Sequence, residues 1–193
     1  MTIEDELQQI LDRYKINAHV QQLIAMWDDG TRHYHNTTHL EDLVRMIKED
    51  KGKEAAKDTV QYDQLMLAAL FHDIVYSPGR KDNEELSAAM FHRACSNPDD
   101  PILQEVHQAI LDTKLHVATI PLSAKFNRYD MNIVERDFDE LLAWEKGIYE
   151  EFKGAGKHAY KLGRLAFLKS LLEQYPHNRE NLERLTEYVE NGY

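Results

Sequence analysis

A histidine and an aspartate stand side by side, His72-Asp73, at the end of the apolar run Leu65-Met66-Leu67-Ala68-Ala69-Leu70-Phe71. An ionised carboxylate on a buried helix is costly unless something compensates its charge. A divalent metal ion supplies that compensation, and imidazole with carboxylate is a natural ligand pair. A second histidine cluster lies upstream, His33-Tyr34-His35-Asn36-Thr37-Thr38-His39. His39, the His72-Asp73 pair and a later acid, Asp130, would supply four ligands from separate elements. Carboxylate and imidazole together suit Mn²⁺, Fe²⁺, Ni²⁺, Zn²⁺ or Mg²⁺. Such an ion lowers the pKa of water and yields a nucleophile near neutral pH. Taken alone, each residue has a plainer reading. In a chain with 10 His and 34 acidic residues, one His-Asp dipeptide reads as a hydrogen-bonding pair at a helix end. His39 alone is a capping or packed histidine, and Asp130 alone a loop acid. The order of the set carries the metal hypothesis: a histidine at a helix start, His-Asp closing a buried helix, then an acid after an irregular stretch.

The elements that must hold these residues are helical. Apolar residues recur at helical spacing almost throughout, and no alternating strand pattern stands out. A first helix is predicted over about 3 to 14, with Ile3, Leu7, Ile10 and Leu11 on one face. Asn17 is expected to cap a second, whose stripe is Val20, Leu23, Ile24 and Trp27. Thr38-His39-Leu40-Glu41 has capping-box spacing and opens a third, placing His39 in its first turn and His35 on the preceding loop. The fourth, about Asp63 to Val75, is apolar all round at its centre and is therefore the core helix. Asp82 or Asn83 caps the next, and Asp100-Pro101 starts another, with Asp as cap and Pro at the first helical position. Residues 113 to 136 are the least regular. Three more helices are predicted at about 138–153, 157–174 and 178–190.

With 193 residues, no internal repeat and no long linker, one all-α helical domain spanning 1–193 is the expected architecture. A net charge of −11 argues against an extended nucleic-acid surface, which needs excess Lys and Arg. The single cysteine, Cys95, rules out an intrachain disulfide and reads as a packing residue of a cytoplasmic protein. No apolar run approaches the roughly 20 residues needed to span a bilayer, so no membrane role is expected. Phosphate-cradling glycine loops, nucleophile elbows and Cys-His zinc patterns are missing from the sequence.

Several segments together resemble the HD-domain superfamily of metal-dependent phosphohydrolases, within it a group of small bacterial predicted phosphohydrolases. They are Tyr34-His35-Asn36-Thr37-Thr38-His39, Phe71-His72-Asp73-Ile74-Val75-Tyr76, Asp82-Asn83-Glu84-Glu85-Leu86-Ser87-Ala88, Thr113-Lys114-Leu115-His116 and Gly163-Arg164. The resemblance covers about residues 25 to 175. It implies an HD-type helical bundle with His39, His72, Asp73 and Asp130 as ligands of one divalent ion. It implies hydrolysis of a small phosphorylated molecule, such as a nucleotide, by activated water. Asp73 and Glu84 are then the catalytic candidates, Glu84 as acid for the leaving oxygen or as a holder of the water. The plainer role for Asp82, Glu84 and Glu85 is to complement a helix dipole. Arg80, Lys114 and His35 are the candidates for holding substrate phosphate; isolated surface charges are the alternative for the first two. Some HD proteins hold two metals, and His35, His107 and His116 would then hold a second ion or a phosphate. Association into a homo-oligomer is compatible with the pattern. One position departs from it: relatives typically carry Asp-x-Asp where this chain has Asp130-Met131-Asn132. That departure motivates the alternative of a catalytically weak regulatory module that binds a nucleotide or a metal.

Overall fold

In the computed structural model, which describes residues 2–53 and 59–192, the protein is all-α. Ten α-helices lie among the described residues: α1 (Ile3–Arg13), α2 (Val20–Trp27), α3 (Thr37–Lys53), α4 (Thr59–Phe71), α5 (Asn83–Ala94), α6 (Pro101–Asp112), α7 (Pro121–Asp130), α8 (Phe138–Phe152), α9 (Lys157–Gln174) and α10 (Arg179–Gly192). No strand occurs among them beyond an isolated bridge between Ile16 and Cys95. None of the described helices is long and apolar enough to cross a membrane.

The chain forms two compact units: Met1–Gly30 with His35–Asp130, and Thr31–Tyr34 with Met131–Tyr193. No linker marks the division.

The first unit is built around α4. Every residue from Tyr62 to Phe71 is buried: Leu65 to Phe71 are apolar all round, and the polar Asp63 and Gln64 are held by Arg13 and by Glu105. α1, α3, α5, α6 and α7 all pack against it. Leu40, Leu43, Val44 and Ile47 of α3 contribute one buried stripe, and Leu103, Val106 and Ile110 of α6 another. Asp100 caps α6 through the Ile102 N–H at 2.9 Å, with Pro101 in the first turn. Cys95 ends α5, buried, with its thiol pushed up to about 11 by that burial.

In the second unit, α10 packs against α8 and α9 over Leu141, Trp144, Leu168, Leu182, Leu185 and Val189. Gly147 lets the 31–34 segment lie on α8, since a Cβ there would meet His33 O and Tyr34 Cβ at 3.2 Å.

Four local expectations change. α4 ends at Phe71, so His72 and Asp73 occupy the turn after it rather than its last turn. α3 is capped by Asn36, whose side chain accepts from the Thr38 N–H at 3.0 Å; the cap expected at Thr38 lies two residues earlier. Asn17 does not cap α2, which begins at Val20; the Gln8 side chain accepts the Val20 N–H at 2.9 Å instead. The irregular stretch contains a helix, α7, with Asp130 at its end. Leu122, Phe126 and Tyr129 are its apolar face, but Ser123 and Asn127 are buried beside them and interrupt the periodicity.

Candidate metal centre

Three helix ends deliver the chemistry. His39 stands in the first turn of α3, His72 and Asp73 follow α4, and Asp130 closes α7. All four belong to the first unit. His39, His72 and Asp73 each offer a ligand atom within 4.8 Å of the others. Asp130 joins from a different side: its Oδ1 lies 3.2 Å from His39 Nε2 and 3.4 Å from His72 Nε2. Asp73 Oδ2 lies 3.3 Å from His72 Nε2. Ligands at neighbouring corners around one ion, about 2.1 Å from it, stand about 3.0–3.4 Å apart. The separations of 3.2, 3.3 and 3.4 Å match that spacing.

His72 is the centre of the group. Its side chain is 1% exposed, and its Nδ1 lies 3.1 Å from the Ala69 carbonyl. A carbonyl only accepts, so Nδ1 carries the proton, and in the neutral ring Nε2 keeps its lone pair. Ligating histidines are commonly held by such a bond from the other ring nitrogen. Among the described residues His72 Nε2 makes no hydrogen bond, although it is buried. A buried polar atom without a partner, facing two carboxylates, is what a cation would satisfy.

Aromatic rings fix this geometry. Trp27 donates its indole N–H to the Leu70 carbonyl at 2.9 Å, and its ring lies 5.4 Å from that of His72 and 6.3 Å from that of His39. Phe126 of α7 meets His72 edge-on at 5.3 Å. Against these rings His39 and His72 are buried, and burial strengthens electrostatic interactions.

The charges agree with the geometry. Burial would push the Asp73 and Asp130 carboxyls up, but His72 beside both, with His116 and His39 on Asp130, holds each below the usual carboxylate range. Burial would push His72 down, yet Asp73 and Asp130 raise it well above 6.5. Two ionised carboxylates thus draw positive charge onto the one ring between them.

The other sequence candidates lie in different surroundings. His35 Nε2 is 4.0 Å from Asp73 Oδ2, with its ring stacked on Tyr76 at 4.3 Å. His116 Nε2 lies 3.1 Å from Asp130 Oδ2. Arg80 is bound to Asp82 through two hydrogen bonds of 2.9 and 2.8 Å. Lys114 pairs with Glu85 and donates to the Lys81 carbonyl at 2.6 Å. Both cations are spoken for by neighbours at the start of α5. Glu84 is half-buried in the first turn of α5. His107 packs against His92, ring centres 5.7 Å apart, and burial pushes its pKa down. Sequence reading passed over Trp27 and Phe126 as site residues. Both carry only the signal of core apolar positions.

No family model, no curated protein and no solved structure matches this chain.

Proposed function

We propose that the protein is a divalent-metal-dependent phosphohydrolase of the HD type, acting on a small phosphoester such as a nucleotide. The observation that carries this reading is the orphaned, buried Nε2 of His72 between the ionised carboxylates of Asp73 and Asp130. His39, His72, Asp73 and Asp130 would hold the ion. The fit rests on their donor chemistry and spacing. A bound divalent ion supplies charge neutralisation for the phosphoryl oxygens and makes water acidic enough to attack.

The chain's own residues do the rest. The Ala69 carbonyl, Trp27 and Phe126 keep His72 in one orientation and keep bulk water away. Asp73, held ionised beside His72, orients the attacking water, whose proton passes to solvent. The new P–O bond forms from that water as the bond to the leaving oxygen breaks. Glu84 returns a proton to the leaving oxygen. Asp130 is the acid that reaches the imidazoles, so Asn132 does not leave the cluster without its late carboxylate.

The test is hydrolysis of a generic phosphomonoester with added Mn²⁺ or Ni²⁺. Wild-type protein is expected to turn over, and His72→Ala with Asp73→Ala is expected not to. Equal turnover in the double variant contradicts the proposal. Tight metal binding with no turnover assigns the regulatory role instead.

A further inference from the structure

Asp130 divides its two oxygens between different partners. Oδ1 faces the Nε2 atoms of His39 and His72, at 3.2 and 3.4 Å. Oδ2 faces His116 Nε2 alone among these imidazoles, at 3.1 Å. An aspartate carboxylate at neutral pH is ionised and only accepts. His116 Nε2 therefore donates, and its lone pair is not the one turned toward Oδ2.

The chain goes to some length to put this imidazole there. His116 has φ +51, in the left-handed region, which non-glycine residues seldom occupy. Histidine tolerates the region better than most residues. The loop that bears it is closed at its base. Asp112, at the end of α6, accepts the Thr119 N–H and the Thr119 hydroxyl through Oδ2, each at 2.8 Å. Gln108 Nε2 donates to Asp112 Oδ1 at 2.7 Å. Thr113 turns its hydroxyl back to the Ile110 carbonyl at 2.7 Å, and the His116 N–H reaches the Thr113 carbonyl at 3.3 Å. On either side of His116, Leu115 and Val117 point to solvent, 77% and 62% exposed. Apolar burial does not hold this loop in place. Polar staples do, and the residue at its tip is turned inward against its backbone preference.

We infer that His116 is a positioning residue that fixes Asp130 as a one-oxygen ligand. By occupying Oδ2, it keeps that oxygen from swinging onto the ion, so only Oδ1 coordinates and one more position stays open for water and substrate. This rests on the reading of the cluster as a cation site. It assigns His116 neither to a second metal nor to the substrate phosphate.

The experiment uses the full chain, freed of metal and titrated with Co²⁺, whose visible absorption weakens as its coordination number rises. Two variants separate the role of the ring from the role of the backbone. His116→Gly removes the donor and suits the positive φ, so the loop keeps its shape. His116→Gln retains an N–H donor at similar reach. Wild-type protein is expected to bind one Co²⁺. His116→Gly is expected to bind it about 10–100-fold more weakly, the usual cost of losing an outer hydrogen-bond partner, and with weaker absorption as Asp130 turns both oxygens inward. His116→Gln is expected to restore most of both. Unchanged affinity and spectrum in His116→Gly overturn the inference and leave the cation site standing. So does a wild type that binds two Co²⁺ and loses one in His116→Gly, because His116 is then a ligand. A wild type that binds no Co²⁺ overturns the cation site and this inference together.

Discussion

Glu145 of the second unit and Asp130 of the first are both carboxylates withdrawn from water, yet their partners differ in kind. Glu145 is 0% exposed and meets the Arg164 Nε at 2.5 Å. Its other oxygen accepts the Tyr160 hydroxyl at 2.6 Å. The guanidinium lies over the Trp144 ring at 4.1 Å, with Phe167 at 5.2 Å. The chain supplies the cation itself, on a side chain that keeps its charge at all ordinary pH. Asp73 and Asp130 are set instead against imidazoles, which are neutral or charged according to what else is present. A neutral imidazole offers a lone pair that no guanidinium has. The first cluster therefore has a place for the proposed ion's charge, and the second carries its own cation. Buried acid alone does not mark a metal site. What sets the first cluster apart is buried acid beside an imidazole, His72, whose other nitrogen is already tied back.

The sharpest way to break this contrast is to remove ligands from the first cluster. His72→Ala with Asp73→Ala is expected to weaken divalent-ion binding by more than the about 10–100-fold of an outer-shell loss, read by calorimetric titration. Its far-UV circular dichroism is expected to stay helical. Next in size is the opposite cut. Arg164→Ala strands Glu145 in the core and is expected to cost about 3–5 kcal/mol in denaturant unfolding, with ion stoichiometry unchanged. Replacing both partners, Glu145→Leu with Arg164→Met, is expected to recover most of that loss, because a buried ion pair roughly breaks even against apolar packing. No recovery would mean that the pair does more than neutralise itself. Tyr160→Phe is expected to cost about 1.5–3 kcal/mol, the range for a hydrogen bond to a charged group. The smallest effect expected is a pH dependence confined to the first cluster. His72 is held well above its usual 6.5 when no ion is bound. Its raised value stabilises the fold fully below pH 6.5, and that contribution is lost as pH rises through the folded value. The ion-free melting temperature should fall over that rise, and saturating metal should flatten the curve. At pH 7 the ion should displace the His72 proton, detected as acid release in weak buffer.

Much of this was legible in the sequence, for reasons that can be named. α4 was readable because nothing polar interrupts its centre, so only a buried place suited it. His39, His72 and Asp73 were readable because each falls beside a helix boundary that spacing and punctuation roughly located, whereas Asp130 closes a helix that the sequence did not reveal. α7 was missed because Ser123 and Asn127 sit on its buried side, where periodicity expects hydrocarbon. The cap of α3 was misplaced because Asn36 and Thr38 both satisfy the rules for a helix start, and only the coordinates show which one bonds. Arg80 and Lys114 looked like phosphate clamps because sequence shows a cation near a motif and not the Asp82 or Glu85 that claims it. The staple from Asp112 to Thr119 and the Trp27 floor under the imidazoles had no signal of their own. The first depends on a loop closing and the second on elements far apart in the chain.

Calorimetric titration of Mn²⁺ into metal-free wild-type protein, with His72→Ala/Asp73→Ala as its control, decides whether these side chains hold a cation. One ion per wild-type chain and none in the double variant is the expected result. Equal binding by both proteins, or no binding by wild type, would contradict it.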